Sequence, residues 1–217
     1  MRRVFVAAIA AFGCGEDPPT HITCEPQIVF LNRDGGVFKP GPHDDAIANT
    51  SVLLDVERTL APWPKPMDEW DALAACFKDH VFALPRLEVV TVDPGMVPHI
   101  EVVFTTSYWA SAGTTAIVPA SCRPDHEIEI VFGSALPTMA RACDVALQEF
   151  AIMTANLSLG DDCHDLVNNS QDCSPDRSFL DQTVNCVDDA AQPAPCRCGG
   201  TTENTYRALA TTFPPCP

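Results

Sequence analysis

An apolar run from Leu136 to Leu159 constrains this chain more than any other stretch. An element apolar on most of its faces has to be buried, so the run reads as a long helix inside the fold. Ser134 and Pro137 supply its start, as cap and first-turn proline.

The elements that bury this helix lie mostly upstream. Gln27 to Leu31 contains four consecutive apolar residues, which fits a strand covered on both faces, and Asn32-Arg33-Asp34-Gly35-Gly36 ends it. Pro40 to Ser51, rich in Pro, Gly, Asp and Asn, reads as loop. Pro62, Pro64 and Pro66 lead into a helix from Asp68 to about Val81, with Asp68 as N-cap. Trp70, Leu73, Ala74, Phe77 and Val81 form its apolar stripe. Strands follow at Arg86 to Val92 and Ile100 to Thr105, with a shorter edge strand at Thr115 to Val118. Glu127 to Phe132 alternates charged and apolar residues, which predicts one wet face. After the long helix comes an irregular Cys-rich part and a short helix at Glu203 to Thr211. Helices interleaved with strands in this order predict an α/β (α+β) fold: a twisted, mostly parallel sheet with one antiparallel edge strand.

A chain of 217 residues suits one domain with a sizeable core. Its formal charge of -16 argues against nucleic acid, whose phosphates need Lys and Arg to displace counterions. It argues equally against charge-driven docking on an anionic membrane, and fits a solubilising role. At the N-terminus, Arg2 and Arg3 precede an apolar segment from Val4 to Phe12 and a small-residue site at Ala11-Phe12-Gly13-Cys14. That is the pattern of a secretory signal peptide, too short to span a bilayer. Cys14 directly after Gly13 resembles the bacterial lipobox, in which the cysteine is acylated, although Ala11 stands where Leu is usual. Simple secretion, with Cys14 as an ordinary half-cystine, is the competing reading. The expected layout is residues 1–13 as lipoprotein signal peptide, 14–26 as a polar, Pro-rich tether and 27–217 as the folded domain. The expected location is the bacterial cell envelope, with the membrane reached only through the lipid.

Eleven cysteines leave one over in an exported protein. With Cys14 acylated, the remaining ten fit five disulfides in an oxidising compartment. A thiolate zinc site at Cys196-Arg197-Cys198 is the alternative, weakened by the lack of a second matched pair.

Four local stretches carry a family resemblance. They are Ile28-Val29-Phe30-Leu31-Asn32-Arg33-Asp34-Gly35-Gly36 with Pro40-Gly41-Pro42 and Asn49-Thr50-Ser51; the helix segment Gln148-Glu149-Phe150-Ala151-Ile152-Met153-Thr154-Ala155; Asp162-Cys163-His164-Asp165-Leu166-Val167; and Cys196-Arg197-Cys198-Gly199-Gly200-Thr201-Thr202-Glu203-Asn204-Thr205-Tyr206. Together they resemble exported metzincin-like zinc proteases of myxobacterial type, over about residues 27 to 212. In such proteases an HExxHxxGxxH helix places two histidines four apart on one face to hold zinc, with the glutamate as general base. The resemblance implies a metzincin-like sheet with a backing helix and a long central helix, and it puts Glu149 at the general-base position. The three ligand positions hold Gln148, Ile152 and Ser158, the glycine position holds Ala155, and the methionine-turn position holds Val167.

A catalytic zinc needs three protein ligands and an open position. Gln148 and Ser158 are poor zinc donors and Ile152 has no lone pair. Without the metal, Glu149 would face water at its bulk pKa of roughly 15.7 rather than about 7, a gap one carboxylate does not bridge. The expectation is therefore a pseudoprotease with a vestigial Glu149 and no cofactor, acting as a monomeric binder of peptide or protein. Such a fold can hold an extended peptide on its edge strand without cutting it. Two alternatives stay open: an active zinc peptidase with non-standard ligands, and a structural envelope protein. His164, which follows Asp161 and Asp162 in the loop after the helix, offers substitute ligands or a calcium site as an alternative, although acidic loops of this kind usually face solvent. No GxSxG elbow, phosphate loop or internal repeat is present.

Overall fold

The computed structural model describes residues 25–111, 113–119, 122, 126–168 and 176–215. The expected signal peptide, Cys14 and most of the tether lie outside these residues. In chain order the elements begin with β1 (Gln27–Asn32), β2 (Gly36–Pro40), β3 (Thr50–Ser51), β4 (Arg58–Leu60) and α1 (Met67–Val81). They continue with β5 (Leu87–Val90), β6 (His99–Thr105), β7 (Ala116–Ile117), β8 (Ile128–Phe132) and α2 (Met139–Ala155). The chain closes with β9 (Leu159–Gly160), β10 (Val184–Val187), β11 (Thr202–Glu203) and α3 (Thr205–Thr212).

Five strands form the main sheet in the order β5-β1-β6-β8-β7. The pairs β1–β5, β1–β6 and β6–β8 are parallel, and β7 closes one edge antiparallel to β8. The apolar run at β1 thus occupies an interior position, as its composition predicts. One face of the sheet carries α1 and α2, packed around Leu31, Val102, Phe104 and Val131. Trp70 and Phe77 of α1 sit in this core, and Phe77 meets Phe150 of α2 edge-on at 5.6 Å. Phe213, just past α3, stacks on Phe150 at 5.9 Å. Aromatic contact therefore links all three helices, each such pair adding about 0.5–1.5 kcal/mol beyond its buried area.

The opposite face is also covered. A small sheet, β3-β2-β4, packs Phe38 and Leu60 against Val103, Ile128, Ile130 and Phe132. Two expectations are corrected here. The segment from Pro40 to Ser51 is not all loop, since Pro40 ends β2 and Thr50–Ser51 forms β3. And β8 has no wet face: all five residues are buried, including Glu129 at 0% exposure.

The helix starts also differ from expectation. Pro66 occupies the cap position of α1 without a side-chain bond, and Asp68 lies in the first turn, where the helix dipole favours an acid. Thr138 caps α2, accepting a hydrogen bond from the Arg141 amide at 3.1 Å, while Ser134 belongs to a short 3-10 turn before it. That turn begins at Gly133, where a Cβ would lie 2.5 Å from the Trp63 ring, so only glycine lets the chain leave β8 here. No helix among the described residues is long and apolar enough to cross a membrane.

Three disulfides join Cys76 to Cys143, Cys122 to Cys198 and Cys186 to Cys196, and Cys163 is also disulfide-bonded. The first ties α1 to α2. The other two separate Cys196 from Cys198, so the Cys196-Arg197-Cys198 stretch offers no thiolate pair for zinc. Cys24, Cys173 and Cys216 lie outside the described residues.

Candidate functional site

The candidate site is built on α2, which runs over β8 and β7. Gln148 and Ile152 are both buried, and Ile152 is part of the core cluster between helices and sheet. Helical spacing does put positions 148 and 152 on one face, as a metal-binding pair would need. Here that face meets apolar packing.

The helix passes through Ala155 and ends at Asn156, which adopts the left-handed conformation with φ 55°. The turn is thus made one residue after the position where the metzincin pattern has glycine, by a residue type that tolerates this backbone. Ser158 follows, and it is held tightly. Its amide donates to Glu203 Oε2 at 2.7 Å and its hydroxyl donates to Glu203 Oε1 at 3.2 Å. The Arg197 amide donates to the Ser158 hydroxyl oxygen at 2.5 Å. Ser158 is therefore a structural joint between the end of α2 and the Cys-rich segment.

Glu149 lies on α2 with an edge open to solvent, yet its carboxyl is enclosed enough that burial pushes it up to about 7. The charge of Arg197 opposes that rise and the charge of Asp189 adds to it. Beneath α2, Glu129 projects from β8 on the same face as Val131. Neither of its carboxylate oxygens has a hydrogen-bond partner. Burial drives the Glu129 carboxyl well above the usual range, and the Glu149 charge drives it further. Like charges in a low-dielectric setting disfavour joint ionisation, so the two cannot both ionise cheaply. Sequence reasoning missed Glu129 because its strand alternates like a half-exposed one.

Val167, at the methionine-turn position, is buried in the core; its carbonyl accepts from the Gly160 amide at 2.7 Å and its amide donates to Asp165 Oδ1 at 2.9 Å. Asp165 also accepts from the Thr205 hydroxyl at 2.8 Å, linking this turn to α3. The cluster of Asp161, Asp162 and His164 is engaged in local bonds: Asp161 accepts from the amide and side chain of Asn185, and Asp162 from the His164 amide and from Gln182. Among the described residues, one group of three possible metal ligands lies within 4.8 Å, namely Cys186, Cys196 and Glu203. Two of these share a disulfide and the third holds Ser158, so the group lacks free donors.

Chemically, this arrangement offers a carboxyl that exchanges protons near neutrality beside a guanidinium. Of the positions where the metzincin pattern has its ligands, one holds a core isoleucine, Ile152, and another a serine engaged by Glu203 and Arg197, Ser158. Compared with known proteins, the chain matches no family model, no curated protein and no solved structure.

Proposed function

We propose that this chain is a metzincin-like pseudoprotease of the cell envelope, anchored through Cys14, which binds extended peptide without cleaving it. The observation that carries the reading is the occupation of the third ligand position, where Ser158 is bonded to Glu203 and Arg197. Releasing it for a metal would cost a charge-assisted pair of bonds and leave Glu203 unsatisfied. Two features support the metzincin-like part. The strand and helix order has α2 directly following the last parallel strand, and the edge strand β7 runs antiparallel to the rest. That edge supports peptide binding, because among the described residues β7 has a β-partner on one side alone and can pair its open backbone with an added strand.

The test combines four measurements on protein purified without chelators. Metal analysis should find no stoichiometric zinc, and peptide libraries should stay uncut. Captured peptides should lose binding when alternate backbone amides are N-methylated, which removes strand pairing. Mass spectrometry of the mature N-terminus should find acylated Cys14. One zinc per chain, with chelator-sensitive cleavage lost on Glu149→Gln, would replace this reading with that of an active zinc peptidase. Peptide binding indifferent to N-methylation would remove the edge strand from it.

A further inference from the structure

On the sheet face away from α1 and α2 lies a cavity of about 450 Å³, bounded by the turn after β5 and by the loop before β3. Its floor is Glu101 of β6, 2% exposed. Asn32 of β1 donates to Glu101 Oε1 at 2.7 Å and spends its other amide hydrogen on the Gly35 carbonyl at 3.0 Å. Its side-chain oxygen accepts from the Asp34 and Gly35 amides. Asn32 is thus fully committed, and it fixes the Glu101 carboxylate by one oxygen. The other, Oε2, is buried without any partner. An unpaired acceptor of this kind is costly unless a donor arrives from outside the fold.

The walls define what that donor should be. Asp34 and Asp93 stand at the rim, and the charge of Asp93 reaches Glu101. Arg33 also borders the cavity, but its guanidinium donates to the Lys65 carbonyl and lies over Trp70, 5.6 Å from the ring centroid. His99 Nδ1 donates to the Val97 carbonyl at 2.7 Å. Val92 and Met96, at 77% and 81% exposure, give the rim an apolar lip. An unpaired acceptor at the floor, with acid and an apolar lip at the rim, suits a cation on a hydrocarbon stem. A divalent metal suits it less, since no three acidic or imidazole ligand atoms here come within 4.8 Å of one another.

We propose that this cavity binds an alkylammonium group, with Glu101 Oε2 as its anchoring acceptor. The inference concerns the opposite face of the sheet from α2 and stands or falls independently of the pseudoprotease reading.

The experiment is calorimetric titration of the purified chain with Nα-acetyl-lysine amide at about pH 8, where Glu101, pushed up to about 7 by burial, is ionised. Nα-acetyl-norleucine amide serves as the neutral isostere and calcium chloride as the metal arm. Saturable binding of the lysine compound is expected, weaker by about tenfold or more for the norleucine compound and for Glu101→Gln. Asp93→Asn, on an exposed turn and able to keep its bond to the Gly95 amide, should weaken binding severalfold. Tighter binding of a lysine-containing heptapeptide would assign the ammonium to a peptide, and equal affinity would assign it to a small amine. Equal affinity for the two amides would overturn the proposal, as would full binding by a folded Glu101→Gln. So would the absence of saturation up to about 10 mM, or calcium binding that the lysine compound fails to displace. Should Glu101→Gln not fold, unchanged affinity in Asp93→Asn overturns it instead.

Discussion

Single carboxylates, Glu129 and Glu149 at the α2–β8 contact, carry most of the chemistry there. Glu129 has no exposure and no partner, so its ionised form is a burden that the fold bears only when the solution forces it. Replacing it by glutamine removes the charge and nearly keeps the shape. Glu129→Gln should therefore leave the urea midpoint little changed near pH 5 and raise it near pH 9, by roughly 1 kcal/mol or more in unfolding free energy. A midpoint lower than wild type at both pH values would show that the acid form makes a contact the amide cannot. Of these positions, Glu149 was legible from the helix pattern around it. Glu129 was not, because a charge at every second position of a strand normally means solvent. What covers the Glu129 side of that strand is α2, while β2 and β4 cover its other side, and a strand packed on both faces leaves no mark of that in its local pattern. Ser158 was singled out through the metzincin-like pattern; the carboxylate holding it, Glu203, lies 45 residues away and could not be foreseen.

Elements were readable in proportion to their length and periodicity. The interior strand β1 announced itself as an apolar run, and α1 through its stripe of Trp70, Leu73, Phe77 and Val81. β3, β9 and β11 are two residues long, and the five-residue β2 ends in a proline, so no period exists to detect. The pairing of α1 with α2 depends on packing that the two stripes predict and on a cross-link they do not. Cys76–Cys143 closes a separation of 67 residues between these helices. Converting both cysteines to alanine should cost about 2–5 kcal/mol, read as a fall in the urea midpoint with an unchanged far-ultraviolet spectrum near neutrality. A loss no larger than that of an exposed point substitution would mean that the Phe77–Phe150 contact already sets the helix pair.

For the molecule as a whole, the raised carboxylates fix the sign of its response to pH. Burial lifts Glu101 and Glu149 from 4.5 to about 7 and lifts Glu129 further. The folded chain therefore holds protons that the unfolded chain releases between about pH 4.5 and 7. Stability tied to these groups is fully present below the unfolded value and is lost as pH rises through the folded one, at up to roughly 1.4 kcal/mol per pH unit for each titrating group. Unfolding midpoints should fall from about pH 5 to about pH 8; a rise across that interval would contradict the assignment of these groups as buried acids. The disulfide between the two helices has one more consequence, and it concerns time. A ribosome adding about 5–20 residues per second delivers Cys76 roughly 3–13 s before Cys143. During that interval Cys122 emerges first, so the earliest available partner for Cys76 on its downstream side is the wrong one.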